Sequence, residues 1–169
     1  MLHIPSELRQ TSADTIGVLV LGTAAAVILA ALAFEHIGGY APCPLCLQQR
    51  YAYYGGIPLL AAALFLLRSG RAAPAAAIFL LVGAAFVINA GLGVYQAGAE
   101  WKLWEISSCA PGDLPAFDIS KLEVGNTPVC GVASWRFLGL SFAGWNVVLS
   151  TVLALGASIA ALKAVRRLP

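Results

Sequence analysis

The chain has 169 residues, of which 60% are hydrophobic and only 11% charged. Soluble domains run at about 45–50% apolar and about 25% charged, so this chain cannot clothe a water-soluble globule and reads as an integral protein of the lipid bilayer. Ten Lys and Arg against eight Asp and Glu leave +2, which excludes a basic nucleic-acid-binding face, and the hydrophobicity excludes intrinsic disorder.

Four segments approach the roughly 20 apolar residues that cross a bilayer core. The first is Thr15–Phe34, uncharged after Asp14, and the second is Tyr51–Leu67, between Arg50 and Arg68. The third is Ala72–Gly98 and the fourth Trp145–Leu162. The second is short for a full crossing, so its helix is expected to start upstream, within Cys43–Arg50. Ala31-Leu32-Ala33 has the small-residue pattern of a signal-peptide cleavage site. The apolar run before it exceeds the roughly 7–15 residues of a signal h-region, so the first span is expected to stay.

Four spans put both termini on one side, and the distribution of Lys and Arg says which. Arg9, Arg68, Arg71, Lys163, Arg166 and Arg167 share one side with Glu7 and Asp14, a balance of +4. Arg50, Lys102, Lys121 and Arg136 share the other with Glu35, Glu100, Glu105, Asp113, Asp118 and Glu123, a balance of −2. The expected fold is therefore an all-α membrane protein. It is a single four-transmembrane-helix bundle over residues 1–169, with cytoplasmic termini and outward loops at about residues 35–50 and 99–144.

All four tryptophans, Trp101, Trp104, Trp135 and Trp145, fall in or at the end of the long loop, and Phe137, Leu138, Leu140 and Phe142 follow Trp135. So apolar a loop is expected to lie as an amphipathic stretch in the headgroup layer, with its Trp rings at the interface. Gly83, Gly91, Gly93 and Gly156 would let helices approach closely, and Asn89 is expected to hydrogen-bond between helices. Glu35 and His36 end the first span, where interfacial solvation accounts for them.

The four cysteines, Cys43, Cys46, Cys109 and Cys130, all fall in the two outward loops. If the outside is a periplasm, disulfides persist there. The loops suggest Cys43 with Cys46 and Cys109 with Cys130, although four cysteines allow three connectivities. Cys43-Pro44-Leu45-Cys46 is a C-x-x-C, and a disulfide closing so small a loop barely constrains the unfolded chain. Thiol–disulfide exchange is the better reason for it, because a neighbouring thiol resolves a mixed disulfide quickly. Pro44 suits the first position of a helix with Cys43 just before it, and a helix N-terminus stabilises a thiolate. An inert disulfide remains an alternative. A zinc site with Cys109 and Cys130 is another, though the spacing matches zinc's paired knuckles poorly. Cys109 and Cys130 flank 20 residues that include Pro111, Gly112, Pro115, Gly125 and Pro128. This segment could carry a static staple or shuttle electrons to the C-x-x-C.

Arg50 follows Cys46 by four residues and so shares its helix face. A cation at the edge of a span needs the interface or a partner. A snorkelling anchor is the plain reading. Behind a C-x-x-C, Arg50 could instead donate to the carbonyl oxygen of a lipid-soluble acceptor, and a membrane quinone is the natural sink for thiol electrons at a bilayer surface.

Taken together, the four spans, the P-C-x-L-C followed by Arg50, the outer pair Cys109 and Cys130, and Ser134-Trp135-Arg136-Phe137-Leu138-Gly139-Leu140-Ser141 resemble the disulfide bond formation protein B family, DsbB. The resemblance implies a bacterial inner-membrane thiol:disulfide oxidoreductase that reoxidises a periplasmic DsbA-type thioredoxin-fold thiol oxidase. It implies that Cys109–Cys130 is the disulfide attacked, with the mixed disulfide on Cys109, and that Cys130 exchanges with Cys43. Cys46 would pass the electrons on, with Arg50 holding a quinone headgroup, ubiquinone or menaquinone. A DsbA-type oxidase sits near about −120 mV, so the acceptor must lie higher. Two positions depart from the family pattern: Gln49 stands where the best-known members carry an acidic residue, and Tyr95-Gln96-Ala97 lacks the His that some place there, so no quinone contact is assigned to it. A vitamin K epoxide reductase-like enzyme is one alternative, though in that family the C-x-x-C normally follows the loop pair. A non-catalytic membrane scaffold with stapled loops is the other.

Overall fold

The computed structural model describes residues 6–104, 131 and 133–166. Four long helices follow one another: α1 (Ser6–His36), α2 (Pro44–Arg68), α3 (Ala72–Glu100) and α4 (Phe142–Val165). Their apolar parts, Ala13–His36, Pro44–Arg68, Ala72–Glu100 and Phe142–Val165, span 24 to 29 residues. At about 1.5 Å per residue each exceeds the roughly 30 Å of a bilayer core. All are longer than the apolar runs in the sequence. Hydrophobicity marks the part of a helix that needs lipid, whereas backbone hydrogen bonding continues until a cap ends it.

The second helix shows this most clearly. It begins at Pro44, where a proline has no orphaned N–H to waste, and the Sγ of Cys43 accepts from the backbone N–H of Cys46 as the N-cap. It runs through Pro58 and ends at Arg68, with Ser69 and Gly70 turning the chain straight into α3. Gly70 takes a φ of 76° there. At this end of the bundle Arg68 makes a two-pronged contact to Asp14 of α1, at 2.9 and 3.0 Å.

The helices pack in the ring α1–α2–α3–α4, each against its two neighbours, and α3 against α4 most extensively. Phe79, Phe86, Leu60, Leu67, Leu153 and Val82 fill the centre. Large apolar side chains such as Leu29, Phe65, Ile88 and Leu155 point outward, as they must where the surroundings are lipid. Without a hydrophobic drive between helices in lipid, contact depends on close fit. Gly83 meets Ala157 and the Ala154 carbonyl of α4, Gly93 meets Val147 and the Ala143 carbonyl, and Gly156 meets Val20 of α1. Gly91 faces open space instead. Asn89 bridges helices as its polarity predicts, donating to Ser150 Oγ at 2.9 Å and Asn146 Oδ1 at 3.2 Å. Tyr53 of α2 joins them, its hydroxyl donating to Asn146 Oδ1 at 3.0 Å.

The end of the long loop differs from the expected amphipathic stretch. Arg136–Phe137 (β1) and Leu140–Ser141 (β2) form a short antiparallel hairpin. Its two turn residues, Leu138 and Gly139, both take positive φ, 51° and 81°, the geometry that matches strand twist in a two-residue loop. Ser141 then caps α4, its Oγ accepting from the Gly144 N–H at 3.2 Å. Local turn and capping chemistry here overrides the apolar character of the segment.

Candidate redox site

The Cys43–Cys46 disulfide is formed, with Cα atoms 5.0 Å apart across the first turn of α2. Leu45 between them is buried and anchors the turn in the bundle. Cys43 is buried and Cys46 half-buried. The N–H groups of the first helical turn have no intrahelical acceptor, and the Cys46 N–H reaches Cys43 Sγ at 3.1 Å. Any negative charge that develops on this sulfur is met by a real donor and by the positive end of the helix dipole.

Two side-chain amides close over the pair. Gln96 Nε2, near the end of α3, donates to the sulfurs of both Cys43 and Cys46, at 3.4 Å each. Its Oε1 accepts from Gln49 Nε2 of α2 at 2.7 Å. Cys46 Sγ also lies 3.9 Å from Gln96 Oε1, but a disulfide sulfur carries no proton, so this approach is not a hydrogen bond in the oxidised state. Gln49 and Gln96 are 6% and 5% exposed. Buried polar side chains need partners, and here each amide is a partner for the other and for the sulfurs. Sequence reasoning left Gln96 without a role. The available signal was a long amide near the end of an otherwise apolar helix, matched by another next to Arg50.

Arg50 lies one helical turn beyond Cys46 and pairs, through Nη1, with the Glu35 carboxylate near the end of α1. Their side chains are 12% and 24% exposed. The expectation that solvation alone accounts for Glu35 is corrected here: the carboxylate is the counter-ion of Arg50. A single carboxylate cannot saturate the five N–H donors of a guanidinium, so Arg50 keeps donor capacity at the edge of the second span.

Aromatic rings cluster where α1 ends. Phe34, next to Glu35, packs against Trp135 and Phe142 with ring centroids 5.3 and 5.1 Å away. Trp135 stacks on Phe142 at 4.9 Å, and Trp145 Nε1 donates to the Phe137 carbonyl at 3.1 Å. The hairpin is thereby fastened over the ends of α1 and α4. Beyond α3, Trp104 folds back onto Gly98, where a side chain would collide with its ring, and its Nε1 donates to the Tyr95 carbonyl at 2.9 Å.

The structure thus brings together Cys43, Cys46, Gln49, Gln96, Arg50 and Glu35 at one end of the bundle. Cys109 and Cys130 lie outside the described residues. Gly131, the residue after Cys130, sits beside the end of α3, where a Cβ on it would lie 3.7 Å from the Ala99 carbonyl.

A C-x-x-C disulfide at a helix N-terminus, met by N–H donors and backed by a cation at the membrane edge, is built to accept and release an electron pair through exchange. The family model for disulfide bond formation protein DsbB matches residues 13–160 of the chain. Similar proteins include the disulfide bond formation protein B of Marinobacter nauticus, 30% identical over 148 residues, which are 80% of this chain and 83% of that one. The protein of that name from Stutzerimonas stutzeri is 32% identical, over 83% of this chain and 90% of its own. That from Methylococcus capsulatus is 35% identical, over 79% and 83%. No solved structure matches the chain. With four helices able to cross a bilayer and a C-x-x-C disulfide at one end of them, this chain belongs to the DsbB family and is a multi-pass membrane thiol:disulfide oxidoreductase that generates disulfides.

Proposed function

We propose that this enzyme sits in the bacterial inner membrane with its cysteine loops in the periplasm, reoxidises a DsbA-type thioredoxin-fold thiol oxidase there, and gives the electrons to a membrane quinone, ubiquinone or menaquinone. The observation that carries this reading is the Cys43–Cys46 disulfide with the Arg50–Glu35 pair one helical turn away. One is a two-electron sulfur centre. The other is a part-buried cation with unspent donors, aligned by its carboxylate, which fits a quinone carbonyl oxygen in charge and polarity.

In this reading Cys109 and Cys130 form the outer disulfide. The partner's thiolate attacks Cys109 Sγ, the Cys109–Cys130 bond breaks, and Cys130 leaves as a thiolate. When the partner departs oxidised, its second thiolate attacks the mixed disulfide and Cys109 is released with the electron pair. Cys130 attacks Cys43 Sγ, a Cys43–Cys130 bond forms, the Cys43–Cys46 bond breaks, and Cys46 leaves as a thiolate. Cys109 then attacks Cys130 Sγ, which re-forms the outer disulfide and releases Cys43, so that Cys43 and Cys46 together hold the electron pair. Cys46 is the donor of that pair, and Arg50 binds and orients the acceptor's carbonyl oxygen. A bound quinone supplies a two-electron, two-proton sink at higher potential than the thiols. The Arg50 guanidinium stays charged throughout, so it neutralises charge without moving a proton itself.

The test is quinone reduction by the purified full-length protein in detergent, driven by a reduced thioredoxin-fold partner. The intact protein turns over and Cys46→Ser does not; a Cys46→Ser protein with undiminished rate overturns the relay. With Cys130→Ser the partner accumulates as a mixed disulfide on Cys109, visible as a band that reductant removes.

A further inference from the structure

The two sulfurs of the Cys43–Cys46 pair are not equally served. Cys43 Sγ accepts from the Cys46 backbone N–H at 3.1 Å and from Gln96 Nε2 at 3.4 Å. Cys46 lies inside the first turn, so its own N–H points away from its sulfur and toward that of Cys43. Among the described residues the donor that meets Cys46 Sγ is Gln96 Nε2, at 3.4 Å. When a cysteine thiolate attacks Cys43 Sγ, a new S–S bond forms there. The Cys43–Cys46 bond breaks and its electron pair leaves on Cys46 as a thiolate. The sulfur that must carry negative charge is therefore the one without the helix cap.

We infer that Gln96 is a further catalytic residue of this relay, donating its amide N–H to the Cys46 thiolate as it leaves, and that Gln49 is the positioning residue that keeps the amide turned that way. This rests on reading Cys43–Cys46 as the redox pair. A primary amide can present either its oxygen or its nitrogen to the sulfurs. Gln49 Nε2 takes the Gln96 oxygen at 2.7 Å, and this leaves the nitrogen facing Cys43 and Cys46. With both amides buried, water does not compete for the donor. An N–H bond to a neutral disulfide sulfur is weak, but one to a thiolate is charge-assisted and roughly twice as strong as a neutral bond. The contact therefore favours the cleaved state over the intact disulfide. It lowers the basicity of the leaving sulfur, which speeds exchange. Neither amide titrates, so the effect does not switch off within the pH range in which the enzyme works.

The measurement is the titration of Cys46 by thiolate absorbance in the full-length protein in detergent, in a Cys43→Ser/Cys109→Ser/Cys130→Ser background that leaves Cys46 as the sole thiol. Gln96→Met keeps the side chain's length and removes its donor. It is expected to raise the midpoint by about one pH unit, a tenfold loss of thiolate at fixed pH. Gln49→Met touches neither sulfur and frees the amide to turn, so it should raise the midpoint by a smaller factor, about threefold in thiolate. It also carries the test should Gln96→Met not fold. An unmoved midpoint in either folded variant overturns the assignment. The titration needs no partner and no quinone, so its failure is distinguishable from a failure of the proposed function, which would show as absent turnover in the intact protein.

Discussion

Arg50 shows how little a single residue says without its neighbours. In the sequence it is a cation at the edge of a span. In the structure its guanidinium is held by Glu35, fourteen intervening residues away on another helix. Two predictions separate the roles of these residues. Arg50→Ala removes charge-assisted donors worth about 1.5–3 kcal/mol, so the KM for quinone should rise roughly tenfold or more while Cys46 still forms its disulfide. An unchanged KM in steady-state kinetics would return Arg50 to the role of an anchor in the interface. Glu35→Gln keeps an acceptor but loses the charge that orients the guanidinium. It should raise the same KM by a few-fold only, with the C-x-x-C titration unaffected. The cysteines and Arg50 could be picked out from the sequence because their chemistry is rare within an apolar chain. Glu35 and Gln96 could not, because their roles depend on which helix ends meet.

At the scale of an element, small residues decide how closely helices approach. A Cβ on Gly93 would lie 2.8 Å from Val147 Cγ2 and 3.2 Å from the Ala143 carbonyl. Gly93→Val must therefore push α3 from α4, at a cost of about 1–3 kcal/mol for overpacking. Gly91, two residues earlier, has nothing within 4 Å of such a carbon, so Gly91→Ala should leave stability unchanged or slightly improved. Thermal unfolding of the detergent-solubilised protein followed by helical circular dichroism checks both, and equal behaviour of the two would refute the packing argument. Both glycines look alike in the sequence, since a helix's apolar pattern in lipid does not tell which face meets protein. The hairpin makes a similar point. Gly139 at a φ of 81° cannot take a β-branched side chain without strain of roughly 1–3 kcal/mol. Gly139→Val should open the turn and free Trp145 from the Phe137 carbonyl, which a red shift in tryptophan emission reports. Turn chemistry of this kind, a glycine after a leucine among aromatics, is drowned in a composition-based reading by the hydrophobicity around it.

For the whole molecule, the charge distribution predicts sidedness. Six basic residues flank the end that holds the Ser69–Gly70 turn, and the cysteine end is net acidic. In a cysteine-free background, a membrane-impermeant maleimide should label Ile37→Cys, at a position 87% exposed, when added from the periplasmic side. Ser69→Cys should react only after the inner membrane is breached; the reverse pattern would invert the proposed orientation. Membrane class, four crossings and the C-x-x-C at the head of the second helix all follow from the sequence. They depend on local quantities: apolar run length, the fixed φ of Pro44 and the spacing of Cys43 and Cys46. The ring order of the helices, the Glu35–Arg50 pair and the Gln49–Gln96 amides over the disulfide required the packed structure. Each joins residues from different helices, and no local periodicity states which faces will be pressed together when the bundle closes.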